Sequence, residues 1–224
     1  ALMTHGGADV KKPETFTKEA LVKGLANLDK HISNMKLYGI PVVVSINHFE
    51  SDDPEHMRLL REHCKDLGAE CVQSDAFLKG GEGTIEVAEK VVEILDRGEK
   101  DFKLLYGDDL SIKEKINKIA TTIYGASGVI YTPVADKTIV DLEQKGYGKL
   151  PICIAKTQYS LSDKPELKGA PKEWKLSVRE VTVSAGAGFI VPVCGSMMLM
   201  PGLGKVPAAM RMDLTPEGKI VGLK

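Results

Sequence analysis

The chain has 224 residues, 43% of them hydrophobic and 27% charged, with a net charge of −1. That balance describes a globular chain with a real core and excludes a disordered one. It shows neither the basic stripe of a nucleic-acid binder nor the roughly 18-residue apolar run of a membrane span, and no signal peptide is read at its start.

ALMTHGGADV lacks an initiator Met and does not read as a natural domain start, so the expectation is a piece of a longer protein. Leu21, Leu25, Leu28, Ile32 and Met35 step by four, three, four and three, which predicts a helix over 17–38 with one apolar stripe. Gly39 stops it. Ile40 to Ile46 is almost wholly apolar and predicts a strand covered on both faces. Asp53 and Pro54 form a helix start. Met57, Leu60, Cys64 and Leu67 are its buried stripe, and Gly68 its end. Residues 69–73 predict a second strand. A helix over 84–96 follows, with Val87, Val91 and Leu95 inward and Gly98 as C-cap. This α/β order supplies only two parallel strands for three helices, so further strands are expected from sequence upstream.

A soft boundary near 98–110 divides the chain into domains at 1–100 and 101–224. Ser111 to Glu114 is a capping box that opens a helix to about Tyr124. GVIYT predicts a strand, Pro133 to Lys145 a helix, and LPICIAKT a strand. Residues 158–174 read as a long polar loop, functional or mobile. KLSVREVTVS alternates as a strand. MRMDLTPEGKIVGL predicts a hairpin with its turn at Pro216–Gly218.

Cys64, Cys71, Cys153 and Cys194 form no CxxC and are read as free thiols in a reducing cytoplasm. The histidines form no metal-binding pattern, so no metal ligand is assigned.

In open α/β sheets ligands sit beyond the carboxyl ends of the strands. Asn47, His48 and Phe49 lie at one such end. Phe77, Lys79, Gly80 and Gly81 follow the next strand. Phe49 and Phe77 either grip a flat heterocycle or pack on the core. Asn47 either reads a ligand or caps the next turn, and His48 lacks an evident partner for a catalytic base. KGGEGT is either a phosphate cradle or a flexible turn beside Phe77, the latter preferred because GxxxxGK[ST] is missing. Lys156 ends an apolar strand, where it is either functional or simply solvated. No catalytic residue is assigned.

HGG at 5–7, PVVVSINHFESD at 41–52, KGGEG at 79–83, LPICIAKTQYSLSDKP at 150–165, SAGAGFIVPVCG at 184–195 and MPGLGKVPAA at 200–209 together resemble formate–tetrahydrofolate ligase. The resemblance covers the whole chain and corresponds to the carboxyl-terminal part of that enzyme. It implies part of a mainly parallel, P-loop-NTPase-like sheet followed by a smaller α/β domain. It implies an enzyme that makes 10-formyltetrahydrofolate from formate, tetrahydrofolate and ATP by way of formyl phosphate. Mg²⁺, a monovalent cation (K⁺ or NH₄⁺), homotetramer assembly and a cytoplasmic location are implied with it. Phe49 and Phe77 match the family's pair that sandwiches the pterin ring. Phe77 stands where the family commonly has Trp, and Gly204 where it usually has Pro. The family's phosphate-binding loop and the acid and Arg residues around formyl phosphate lie upstream of Ala1, in the amino-terminal part of the same enzyme, so the chain alone is expected to be inactive. The alternative is a non-catalytic ligand-binding or oligomerisation module.

Overall fold

Thr17 opens the first long helix because its hydroxyl accepts the amide of Ala20, one of the donors that a helix start leaves without a partner. The computed structural model describes residues 1–198 and 205–222; Gly204 and most of PGLGK lie outside them. In chain order the first half contains α1 (Leu2–His5), α2 (Lys18–Lys36), β1 (Val43–Asn47), α3 (Pro54–Asp66), β2 (Glu70–Ser74), α4 (Ala76–Lys79) and α5 (Ile85–Arg97). The second half contains α6 (Ile112–Lys118), β3 (Gly128–Tyr131), α7 (Pro133–Gln144), β4 (Lys175–Ser184), β5 (Phe189–Cys194), β6 (Asp213–Leu214) and β7 (Ile220–Val221). The chain is α/β, with parallel and mixed sheets.

β1 and β2 pair in parallel, in register from Val43↔Glu70 to Asn47↔Ser74. Leu21 and Leu25 of α2 pack with Leu60 of α3 and Ile46 of β1, while Ile32 packs with Cys64, Ala69 and Val44. Met35, expected on this stripe, is exposed; the last turn of α2 aims Asn34 inward instead. At the other end, Gly6 of HGG is forced by contact. A Cβ there would sit 1.7 Å from the carbonyl oxygen of Ala20, so only glycine lets α1 lie against α2.

The expected inward face of α5 is corrected. Ile94 is buried and Val87 half-buried, but Val91 is exposed and Leu95 is 71% exposed. Ile85 and Val92 are exposed as well. The helix carries more apolar surface than a pair of strands covers. β1 likewise is not covered on both faces as expected: Val43, Val44 and Ile46 are half-buried and Ser45 is exposed.

In the second half β3, β4 and β5 form a sheet, β3 parallel and β5 antiparallel to β4. Ile112 and Ile116 of α6, Ile139 of α7, and Leu176, Val178 and Ile190 of the strands form its core. The capping box is present in full: Ser111 Oγ accepts from the Glu114 amide, and the Glu114 carboxylate accepts from the Ser111 amide. The regular helix ends at Lys118, short of the expected Tyr124, and a wider π turn covers Ile119–Ile123. The terminal hairpin forms with its turn over Thr215–Lys219.

The strand expected over 150–157 is only partly formed. Residues 151–155 lie parallel to β5 and exchange hydrogen bonds with Ile190, Pro192 and Cys194, yet only isolated bridges result. Pro192 has no N–H to give the Cys153 carbonyl, so the ladder breaks at its middle rung. The polar loop after it is also corrected, for Ser160, Leu161, Ser162 and Asp163 are buried. Asp163 Oδ2 accepts the Ser177 amide at 2.8 Å and ties the loop to β4.

Polar side chains of α2 join the halves. Asn27 donates to the Gly169 carbonyl (2.9 Å), Lys30 to that of Thr122 (2.7 Å) and Asn34 to that of Ile123 (2.8 Å). The last two serve carbonyls of the π turn. His5 Nδ1 accepts the Gly169 amide at 3.1 Å, which requires a neutral ring nitrogen. Burial, aided by nearby Lys168, holds the His5 pKa below its ordinary 6.5. The unfolded chain therefore binds this proton first, and the stability contributed by His5 falls as pH drops below about 6.5. The Tm is expected to decline between pH 7.5 and 5.5, and His5→Asn, whose amide oxygen keeps an acceptor, to flatten that decline in calorimetry. Among the described residues no helix is long and apolar enough to cross a membrane.

Candidate functional site

The register of β1 and β2 brings Asn47 level with Ser74, and the His48 amide adds one more rung to the Ser74 carbonyl at 3.0 Å. Both strands leave the sheet from the same height. After β1, the Phe49 amide donates to Asp52 Oδ2 (2.9 Å) and the Asp52 amide returns to the Phe49 carbonyl (2.8 Å), a closed turn that holds Phe49 at its start. Asp53 then caps α3 through the Glu55 amide. After β2, Asp75 precedes α4, which carries Phe77. The Asp75 amide donates to the Gly83 carbonyl at 2.9 Å and closes the loop. A Cβ on Gly83 would meet the Asp75 carbonyl oxygen at 2.4 Å, so this closure needs glycine.

These two loops set the rings of Phe49 and Phe77 against each other, centroids 5.8 Å apart and planes tilted by 48°. Phe49 is 45% and Phe77 76% exposed, so neither packs into the core. A cleft of about 380 Å³ lies beside Phe49, walled by Met3, Phe16, Ile46, Asn47 and Met57.

A polar network links the same two loops. Asp75 Oδ1 lies 2.7 Å from His48 Nδ1 and accepts from Gln73 Nε2 at 2.9 Å. Asp75 Oδ2 accepts from Lys79 Nζ at 3.0 Å. Hydrogen bonds from Gln73, Lys79 and His48 hold the Asp75 carboxyl well below the usual carboxylate range. Asp75 is therefore ionised and takes a hydrogen from His48 Nδ1, a nitrogen that Gln73 Nε2 also approaches at 3.1 Å. Arg61 donates to Gln73 Oε1 at 3.0 Å and braces the network from α3.

The candidates read from the sequence thus fall into two places. Asn47, His48, Phe49, Phe77 and Lys79 gather at the strand ends. Gly80 takes a left-handed turn (φ +58°) beside them, and open space surrounds Gly80 and Gly81. Lys156 belongs elsewhere. Its ammonium donates to the carbonyls of Thr157 (3.1 Å), Ser160 and Ser162 (3.2 Å) and lies 4.7 Å from the centre of the Tyr124 ring. Burial lowers its pKa. Asp75 and Gln73 were missed by sequence reasoning. Gln73 looks like an ordinary strand residue, but Asp75, two residues before Phe77 and just past a strand, carried a usable signal. Among the described residues no group of three or more His, Cys, Asp or Glu is placed to hold a metal ion.

The chain is an α/β protein whose open aromatic pair lies at the level carboxyl ends of neighbouring parallel strands, the place where open α/β sheets take their ligands. The family model for formate–tetrahydrofolate ligase matches residues 1–224. The chain belongs to the formate–tetrahydrofolate ligase family, a family of one-carbon folate metabolism whose ATP-dependent reaction uses formate and tetrahydrofolate.

Proposed function

We propose that this chain supplies the aromatic clamp for the pterin ring of tetrahydrofolate in an ATP-dependent ligase that forms 10-formyltetrahydrofolate. One observation carries the reading: Phe49 and Phe77 face each other in the open, one from each strand end. A flat ring between two others needs about 7 Å, two layers at roughly 3.5 Å each. The present 5.8 Å separation is closer than that, so the rings part and straighten as the pterin enters. In the reaction a formate oxygen attacks the γ-phosphorus of ATP, releasing ADP and giving formyl phosphate. N10 of the folate then attacks the formyl carbon, phosphate leaves and the N10 proton is lost. The clamp orients the folate for that attack, while the phosphates are held by groups that we assign to another part of the same ligase.

The same reading takes residues 1–100 as part of a mainly parallel, P-loop-NTPase-like sheet and 101–224 as a carboxyl-terminal domain, within a homo-oligomer. The exposed Ile85, Val92 and Leu95 of α5 support it, since further elements packed there would bury them. The 224-residue chain is expected to bind tetrahydrofolate in calorimetry yet release no ADP from ATP and formate. ADP release by this chain alone would overturn the division of labour, and no folate binding would overturn the clamp.

A further inference from the structure

We propose that the His48–Asp75 contact is a clasp that sets the spacing of Phe49 and Phe77, and through it the affinity for the pterin ring. The inference rests on the clamp reading above. His48 is bonded directly to Phe49, and Asp75 is separated from Phe77 by Ala76 alone. Their 2.7 Å contact is therefore a short crosslink between the two loops that carry the rings. Each end is anchored: the His48 backbone to Ser74, the Asp75 backbone to Gly83, Leu78 and Lys79.

The charged and polar groups around the pair point the same way. Lys79 and Gln73 both donate to Asp75, and Arg61 donates to Gln73. Gln73, Lys79 and His48 favour an ionised Asp75, and Gln73 Nε2 also lies 3.1 Å from His48 Nδ1, so that it touches both ends of the contact. Both side chains are about four-fifths shielded, at 22% and 19% exposure, so water competes weakly for the contact. Neither residue is asked to touch the folate. They are positioning residues, and a ring clamp depends on position, because stacking weakens once the gap departs by more than about 0.5 Å.

The test measures the Kd for tetrahydrofolate on the 224-residue chain by titration calorimetry, with Tm as the check on folding. His48→Ala and Asp75→Ala are each expected to raise Kd about tenfold, and the double variant no further than the worse single one, since the His48–Asp75 contact is already lost in either. His48→Asn places an amide N–H where Nδ1 stands and is expected to retain Kd within about threefold. His48→Gln places its amide at the Nε2 position and is expected to behave like His48→Ala. Fully additive losses, or retention by Gln with loss by Asn, would overturn the clasp. So would an unchanged Kd in both alanine variants while Phe77→Ala still weakens binding, a result that spares the clamp. An unchanged Kd in Phe77→Ala overturns the clamp and the clasp together.

Discussion

Phe77→Ala is expected to raise the tetrahydrofolate KM of the active ligase about tenfold, with little change in the KM for ATP or formate. The ring is 76% exposed in the free chain, so its removal opens no cavity and costs the fold little. What is lost is one face of the stack. An aromatic contact contributes roughly 0.5–1.5 kcal/mol beyond area burial, and the area adds to that. A tenfold change corresponds to about 1.4 kcal/mol. Phe77→Trp should move the other way, since a larger ring covers more of the pterin. Steady-state kinetics with each substrate varied in turn decides both. An unchanged folate KM in Phe77→Ala would remove Phe77 from the site.

Lys156→Met is expected to destabilise the chain by about 3 kcal/mol. Hydrogen bonds from a charged donor contribute roughly 1.5–3 kcal/mol, and a shielded cation over an aromatic face about 2. The thioether side chain fills much of the space but leaves the carbonyls of Thr157, Ser160 and Ser162 without their shared donor. For a chain of this size 1 kcal/mol moves Tm by roughly 2–4 °C, so the fall should be about 6–12 °C. Tetrahydrofolate affinity should hold at temperatures where the variant is folded, because this ammonium bonds to a different part of the chain from the ring pair. Differential scanning calorimetry beside the folate titration separates the two. A large loss of affinity without a loss of Tm would place Lys156 in the binding site after all.

The helix starts were legible because they are written in a few adjacent residues. Asp53–Pro54 and Ser111–Glu114 need nothing beyond their own turn to act as caps. What failed depended on distant partners. Periodicity alone could not tell which side of α5 meets the sheet, since Ile85, Val91, Val92 and Leu95 leave little of that helix apolar-free. The break in 151–155 is caused by Pro192, nearly forty residues on, and is invisible in LPICIAKT itself. The surroundings of Lys156 include Tyr124, again remote in sequence. At the site the two rings were legible because each lies two or three residues past a strand end. That they come within contact distance depends on the register, Asn47 against Ser74, which the sequence leaves open. The His48–Asp75 contact is a product of the same register.

Pro192 gives β5 an asymmetry with a use. The amides of Ile190 and Cys194 point toward 151–155, and the proline nitrogen lies between them on that side, so the ladder to β4 loses nothing. Should residues 151–155 peel away, a strand from a neighbouring molecule would find a donor at Ile190, none at Pro192 and another at Cys194. The sheet thereby discourages edge-to-edge growth between copies along the border of β5 that such an opening would uncover.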